Sequence, residues 1–593
     1  MNERKNRRLQ KPMKVLMTSA ILTTALFTPM TVNSLNIYAE TTQTKAQYEQ
    51  REFDLPATGS FWEEAKRERR SEQKNYAPTG IYVKPNEEVT IEVSGTKKIR
   101  AIIGTHQYDK EWGKEIDLSP GINKISSSNG GLLGFDNYQD TGTVKVKVTQ
   151  GGSPVPFFEL GKHTKEDWIA MMAKYPDAHA VQLKSEKAVL TVTQDSAKKY
   201  IVDQDPVPLL KKYDEMIRAQ DKISGLSETD ANPLHRSTQR IWAFVENPNK
   251  SDWGMYASLD GATFTTAGDA IESVLDVNKF GWGQLHEAGH ARQQYPWIWN
   301  DLRGMTEVTV NLYSLAAQKQ LFPNQPTRLE KEGDYDRAFA YLKQTDKEYK
   351  NIDDLFVKLV MLWQLHLAYG EDFYPNLHKL YRELPEDQLP KTDEEKIQAF
   401  IYNTSKVAKQ NLLPFFDQWG LKASEETRQK VEALNNPTLV APIWEATDSN
   451  PVKPLAVLSK KTMKASASSE ESWRDPASNA IDGNPDTIWH SKWSIKNQYP
   501  YSLTLDLGDT RTITQVACLP RQDGNENGRI LNYNIYTSVD DINYEKVSSG
   551  TWKNNRDKKT ATFDPVSAKY VKIEVTNGKN GYASAAEVDI LGY

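Results

Sequence analysis

The stretch Gly281-Trp282-Gly283-Gln284-Leu285-His286-Glu287-Ala288-Gly289-His290 decides how this chain is read. It contains H-E-x-x-H, with the two histidines four residues apart. On a helix that spacing puts both imidazoles on one face, where they can reach the same ion. Glu287 then stands beside the metal without ligating it, placed to take a proton from a water. Imidazole with carboxylate suits zinc, and a catalytic zinc needs a third protein ligand and an open position. Glu307 lies seventeen residues beyond His290, at the start of a second predicted helix, Met305-Thr306-Glu307-Val308-Thr309-Val310-Asn311. A carboxylate delivered from there completes a His2Glu set. Asn311, four residues on, faces the same way, either to hold the far ring nitrogen of a ligand histidine or as ordinary packing polarity. Such a centre lowers the pKa of water and polarises a carbonyl, so peptide hydrolysis is the expected chemistry.

Working outward, 593 residues predict several domains. A hydrophobic fraction of 38% is enough for real cores. The charges nearly balance, at net −5, which excludes a chain built to hold nucleic acid phosphates. The single cysteine, Cys518, excludes an intramolecular disulfide framework and reads as a buried thiol.

Residues 1–39 read as a signal peptide: a basic head from Arg4 to Lys14, an apolar run from Val15 to Phe27, and a small-residue cleavage site at Ile37-Tyr38-Ala39. That run is too short for a transmembrane span, and no later stretch is long enough. The expectation is an extracellular protein, with export that does not depend on disulfides pointing to a Gram-positive bacterium. Residues 40–75 form a polar lead-in with a solvated basic run from Lys66 to Arg70. Period-two runs such as Val89-Thr90-Ile91-Glu92-Val93 and Thr143-Val144-Lys145-Val146-Lys147-Val148 predict a β-sandwich over 76–155. The spacing turns helical over 156–440, with a largely buried helix from Leu355 to Leu367. Pro442, Pro451 and Pro454 mark 441–454 as a linker. The β pattern returns over 455–593. The fold class is α+β and multidomain: a mostly helical centre between two β-sandwiches.

The motif segment with Glu307 and Asn311 resembles the enhancin-like peptidases of family M60. So do Leu362-Trp363-Gln364-Leu365-His366-Leu367-Ala368-Tyr369-Gly370 and the β-rich entry Pro78-Thr79-Gly80-Ile81-Tyr82-Val83. That gluzincin family acts on mucins and other O-glycosylated proteins. The resemblance implies zinc ligands His286, His290 and Glu307 with Glu287 as general base. Trp282, Trp297 and Trp299 bracket the motif, to wall a sugar-accommodating cleft or to pack around the metal helix. His366 reads as a core histidine. Tyr369 and Tyr374 are both candidates for an oxyanion donor, with nothing to choose between them.

Ala480-Ile481-Asp482-Gly483-Asn484-Pro485-Asp486-Thr487-Ile488-Trp489-His490, Leu519-Pro520-Arg521-Gln522-Asp523-Gly524 and Ala585-Ala586-Glu587-Val588-Asp589-Ile590 resemble an F5/8 type C (discoidin-like) domain, and more closely its family 32 carbohydrate-binding relatives. Oxygen ligands at short spacing make the Asp482 and Asp486 loop a calcium candidate, with Thr487, Glu587 and the Ala480 carbonyl contributing. The resemblance implies a site for galactose- or GalNAc-type glycans. In it His490 and Arg521 hydrogen-bond hydroxyls while Trp493 and Tyr582 pack on the ring. A third polar contact comes from Asn525 or Asn527, with Asn527 favoured. Three readings follow. The first is a zinc endopeptidase cutting mucin-like O-glycoproteins and targeted by its glycan-binding module. The second is a glycan-binding adhesin with a vestigial metal site. The third is a protease whose C-terminal module binds anionic lipid.

Overall fold

In the computed structural model the described residues are 49–593, apart from 110–112, 253, 260 and 302–303. The signal-peptide reading and the first part of the lead-in lie outside them. Among the described residues no helix is long and apolar enough to cross a membrane.

Two antiparallel sheets form the N-terminal sandwich. One orders Glu52–Pro56, Thr143–Gln150, Val89–Val93 and Gly121–Ile125. The other orders Lys114–Leu118, Ile99–Ile103, Gly131–Asp136, Ala77–Val83 and Ser153–Pro154. The alternation read from the sequence is the physical one: Val144, Val146 and Val148 point into the core while Lys145 and Lys147 face solvent. The sandwich also takes a strand from the lead-in, since Glu52–Pro56 pairs with Thr143–Lys147.

The rest of the lead-in is only partly solvated: Trp62 and Lys66 are exposed, while Glu64, Glu68, Arg69 and Arg70 are buried. It forms a helix, Phe61–Glu68, whose end enters a buried charge network. Arg70 holds Glu68 at 2.7 Å and Glu64 at 3.0 Å. Arg240 joins Asp136 of the sandwich, at 3.0 Å, to Glu64 of this helix, at 3.5 Å. Arg292, just past the motif helix, pairs with Asp221 at 2.7 Å. Burial alone would raise the Glu68 carboxyl, but Arg70, Arg67 and Arg292 outweigh it and hold the carboxyl below its ordinary value. The run Lys66 to Arg70 gives no hint of this, because the rest of the network, Arg240, Asp136, Arg292 and Asp221, is distant in the chain.

The class is α+β, with a helical central region, but the first third of that region is a sheet that its spacing did not suggest. Phe157–Glu159, Val181–Lys184, Ala188–Val192, Trp242–Asn247, Gly261–Thr265 and Met255–Ser258 lie in that order, mixed parallel and antiparallel. Strands such as Ala188–Val192 and Gly261–Thr265 are buried at every position, so they carry no period-two signal. Helix Pro206–Ile223 packs against this sheet and against helices Trp282–His290 and Thr306–Leu321. Helix Leu355–Tyr369 starts at Asp354, whose carboxylate accepts from the Phe356 and Val357 N–H groups, and is buried from Val357 to Leu365.

Residues 441–454 are strapped to the helices. Ile443 and Ala446 are fully buried, and Gln364 Nε2 donates to the Trp444 and Ala446 carbonyls. The Asp448 carboxylate accepts from Trp363 Nε1, Thr327 and Tyr335. Prolines excluded a helix here, but an extended, proline-set path still packs. Thr438–Leu439 then pairs with Ala456–Val457, which pairs with Glu587–Gly592, so the C-terminal sheet begins inside the preceding region. In that sheet Tyr501–Leu519 and Lys559–Gly578 are long strands. Their register shifts between Asp506 and Arg511, and the sheet folds over a core that includes Trp489, Cys518 and Ile573.

Candidate metal centre and glycan-facing loops

The motif helix runs Trp282–His290. At its start the Gln284 side chain accepts the Gly281 N–H at 3.1 Å, closing the first turn. Its two internal glycines are there for contact. A Cβ on Gly289 would lie 3.0 Å from both the Val310 carbonyl and its Cγ2, so the glycine lets the helix meet helix Thr306–Leu321 closely. A Cβ on Gly283 would meet the Met255 sulfur of the edge strand. The glycines cost helix propensity and gain proximity.

That proximity brings His286, His290 and Glu307 together, with one possible ligand atom from each lying within 4.8 Å of the others. Glu307 Oε2 is 3.1 Å from His286 Nε2, and Oε1 is 3.7 Å from His290 Nε2. Both Nδ1 atoms are engaged elsewhere. His286 Nδ1–H donates to Asn311 Oδ1 at 2.8 Å, and His290 Nδ1–H donates to Gln293 Oε1 at 2.7 Å. The amides are themselves fixed: Asn311 Nδ2 donates to the Glu307 carbonyl, and Gln293 Nε2 donates to the Thr306 carbonyl and Thr309 Oγ1. Each Nδ1 is thus fixed as a donor to an amide, which leaves Nε2 as the atom turned toward Glu307 and free to ligate a metal once it is unprotonated. Two nitrogens and one carboxylate presented this way fit a zinc-type cation. Of the two uses the sequence allowed Asn311, the ring-holding one is present.

The titratable groups of this set act on one another. The hydrogen bond from His286 holds the Glu307 carboxyl below its ordinary value. Burial depresses the His290 imidazole. Burial pulls His286 the same way, but its bonds to Glu307 and Asn311 win and raise it. Glu287 does not join the ligands. It is buried, and burial raises its carboxyl to about 7, against a lowering contribution from the Ala257 N–H of the edge strand.

The other tryptophans and tyrosines near the motif are structural. Trp297 and Trp299 are fully buried in the helical core, which favours packing over a sugar-facing wall. Trp282 is partly buried and packs beside Phe356 with the Arg328 guanidinium over its ring. Neither tyrosine offered as an oxyanion donor is free: Tyr369 donates to Gln410 Oε1 and Tyr374 to the Leu362 carbonyl. His366 stacks on Trp363, and burial lowers it to about 4.

At one end of the C-terminal sandwich the structure gathers His490, Trp493, Arg521, Asn527 and Tyr582. His490 and Tyr582 ring centroids are 5.1 Å apart, and His490 and Trp493 are 6.5 Å apart. Tyr582 OH donates to the Trp493 carbonyl at 3.0 Å. Arg521 forks onto Asp523 and gives Nη1 to the Asn527 carbonyl at 3.0 Å. Asn527 Oδ1 accepts from Asn580, while Asn525 Oδ1 turns into its own loop to accept the Asn527 N–H. Burial depresses the His490 imidazole, whose Nδ1–H donates to the Ser491 carbonyl. Two neighbours were missed: Glu471, which accepts the Trp493 N–H at 3.2 Å, and the exposed Trp473.

On the calcium candidate loop, Asp482 accepts from the Thr487 hydroxyl at 2.7 Å, and the Asp486 side chain is exposed. Burial raises the Glu587 carboxyl, Lys460 opposes that through a short ion pair, and the Asp482 carboxyl beside it adds to the rise. Glu587 Oε1 is buried with no hydrogen-bond partner. Two abutting carboxylates with one oxygen unanswered fit a hard cation.

Residues 151–420 match the model of peptidase M60, enhancin and enhancin-like, and 44–150 match the N-terminal domain of M60-like peptidases. Together the two cover more than half of the chain. This chain belongs to the M60 peptidases. Residues 462–588 match the F5/8 type C domain. A conserved protein of unknown function from Bacillus anthracis is 42% identical, with a TM-score of 0.65, over 77% of this chain and 96% of that one. The catalytic module of the metalloprotease ZmpA from Clostridium perfringens shares the fold, with a TM-score of 0.55 at 18% identity, over 90% of this chain and 99% of that one. Human TRPM8 channel-associated factor 2 is 26% identical over 388 residues, which is 60% of this chain and 39% of the relative. The chain thus spans about two fifths of the length of the curated relatives it matches first. Within this M60 chain the residue missed at the metal centre is Gln293. Its signal was available, because an amide three residues after His290 lies on the ligand face of the same turn.

Proposed function

We propose that this metallopeptidase-family chain is a secreted zinc endopeptidase acting on mucin-like O-glycosylated proteins, held to galactose- or GalNAc-type glycans by its C-terminal module. The observation that carries the reading is the convergence of His286, His290 and Glu307, each imidazole locked by an amide, beside a buried carboxylate that is not a ligand. Zinc bound there would supply a Lewis acid for the scissile carbonyl and a water of lowered pKa. His286, His290 and Glu307 hold and orient it, and Asn311 and Gln293 keep the two rings in register. Glu287 carries the proton: its carboxylate takes one from the attacking water and returns it to the leaving amine. Burial raises its carboxyl, the direction that favours carrying a proton. In the module, His490, Arg521 and Asn527 present hydrogen-bonding groups around Trp493 and Tyr582, an arrangement suited to a sugar ring. Calcium at Asp482, Asp486, Thr487, Glu587 and the Ala480 carbonyl would clamp the loops behind that site.

The test is hydrolysis of an O-glycosylated mucin by the chain, beside the same mucin stripped of glycans. Glu287→Ala should cost about 10²–10⁴ in rate while zinc remains bound. Cleavage of both mucin forms would keep the peptidase and remove the glycan requirement. Zinc binding without cleavage of any glycoprotein would remove the peptidase reading.

A further inference from the structure

Trp473 is the feature that the reading above leaves unused. Its side chain is 72% exposed, far more than its neighbour Trp493 at 38%. The two rings meet at 5.5 Å and 76°, so they form a corner, with the Arg474 guanidinium 5.2 Å from the Trp493 centroid. The aromatic contacts of His490 are Trp493 and Tyr582, which places Trp473 beyond Trp493 at the outer side of the same cluster.

An exposed tryptophan on a loose loop would mean little, but this loop is pinned. The Glu471 N–H donates to the His490 carbonyl at 2.9 Å, and the His490 N–H donates to the Asp475 carbonyl at 3.1 Å. Within the turn, the Asp475 N–H closes onto the Glu471 carbonyl at 2.7 Å. The Glu471 carboxylate holds the Trp493 N–H, and the Glu470 carboxylate holds the Ala477 N–H. Trp473 therefore sits at the tip of a tight turn anchored to the strand that carries His490. Its position is set before any ligand arrives, so little ordering entropy remains to be lost on binding. A rigid, exposed aromatic next to buried polar groups is the usual form of a binding anchor.

We propose that Trp473 makes this end of the module a two-ring site. With Trp493 it packs the apolar face of a second pyranose, the unit glycosidically linked to the galactose-type ring held at His490, Arg521 and Asn527. The module then selects disaccharides over monosaccharides. This inference rests on the glycan-binding reading and extends it.

The experiment is calorimetry on the full chain with galactose and with galactosyl-β1,3-N-acetylgalactosamine. It compares the parent, Trp473→Ala and Trp473→Tyr. An aromatic contact of roughly 0.5–1.5 kcal/mol corresponds to about twofold to twelvefold in Kd. The parent should prefer the disaccharide by that factor. Trp473→Ala should lose the preference with galactose affinity unchanged, and Trp473→Tyr should keep most of it. Equal affinity of the parent for both sugars, or an equal loss of both in Trp473→Ala, would overturn the inference alone. Failure of the parent to bind either sugar would overturn the glycan-binding reading and this inference with it.

Discussion

Replacing Asn311 by leucine isolates what the amides around the metal centre do. Leucine has the same branching and the same number of side-chain heavy atoms, so it disturbs the close packing of helix Thr306–Leu321 least among apolar replacements. What disappears is the oxygen that accepts His286 Nδ1–H at 2.8 Å. That N–H is left unpaired in a mostly buried ring, at a cost of about 1–3 kcal/mol. The ring can recover by moving its proton to Nε2, but Nε2 is the atom facing Glu307 and the proposed metal. Either way the cost falls on metal binding, and at 1.4 kcal/mol per tenfold it corresponds to about 5- to 140-fold weaker zinc affinity. The assay is competition with a chelator at pH 7.5, with thermal unfolding of the metal-free chains as a control for folding. A zinc Kd within twofold of the parent, alongside abolished binding in His286→Ala, would refute the claim that Asn311 sets the tautomer. Gln293→Leu should behave alike at His290. It should also cost stability, because Gln293 Nε2 ties the motif helix to the Thr306 carbonyl and Thr309.

Three further outcomes follow from packing and charge. Gly289→Ala should weaken zinc binding and lower the melting temperature more than Gly283→Ala. The Gly289 Cβ meets a backbone carbonyl of the ligand-bearing helix, whereas the Gly283 Cβ meets only the flexible Met255 side chain; the reverse order would contradict this. Glu68→Gln should cost about 3–5 kcal/mol in denaturant unfolding, because it leaves the buried Arg70 without its nearer carboxylate partner; a loss below about 1 kcal/mol would sink the network argument. His378 is buried, with Nδ1–H donating to the Tyr374 carbonyl and Nε2 accepting from Tyr313 OH, and burial lowers it to about 3. The unfolded chain therefore takes up this proton first as the pH falls below 6.5. Stability should drop by about 1.4 kcal/mol per pH unit between 6.5 and 3, or about 2 kcal/mol at pH 5. His378→Gln should flatten that slope when urea unfolding is measured at pH 7.5 and pH 5.

The convergence of His286, His290 and Glu307 was legible because its information is local. Two histidines four apart need only a helix to share a face, and Glu307 needs only a second helix beside it. The sandwich strands were legible for a similar reason, since one wet face leaves an alternating pattern such as Thr143–Gln150. The central sheet was not, because strands dry on both faces, such as Ala188–Val192, have no alternation to read. The lead-in failed differently. Glu64 and Glu68 look solvated in sequence because charge in a short window says nothing about Arg240 and Arg292, more than a hundred residues away. Trp473 was passed over because one more aromatic in a polar loop has no periodicity to mark it.

The pairing of Thr438–Leu439 with Ala456–Val457, and of that strand with Glu587–Gly592, has a mechanical consequence. A module on a flexible tether samples a cloud of positions, and its effective concentration is averaged over that cloud. A module whose sheet starts inside its neighbour samples almost none. On the proposed function it would work as a ruler with a fixed interval between grip and blade: a substrate whose anchoring group and cut site match the interval would gain the benefit of being held, and one that does not match would gain little.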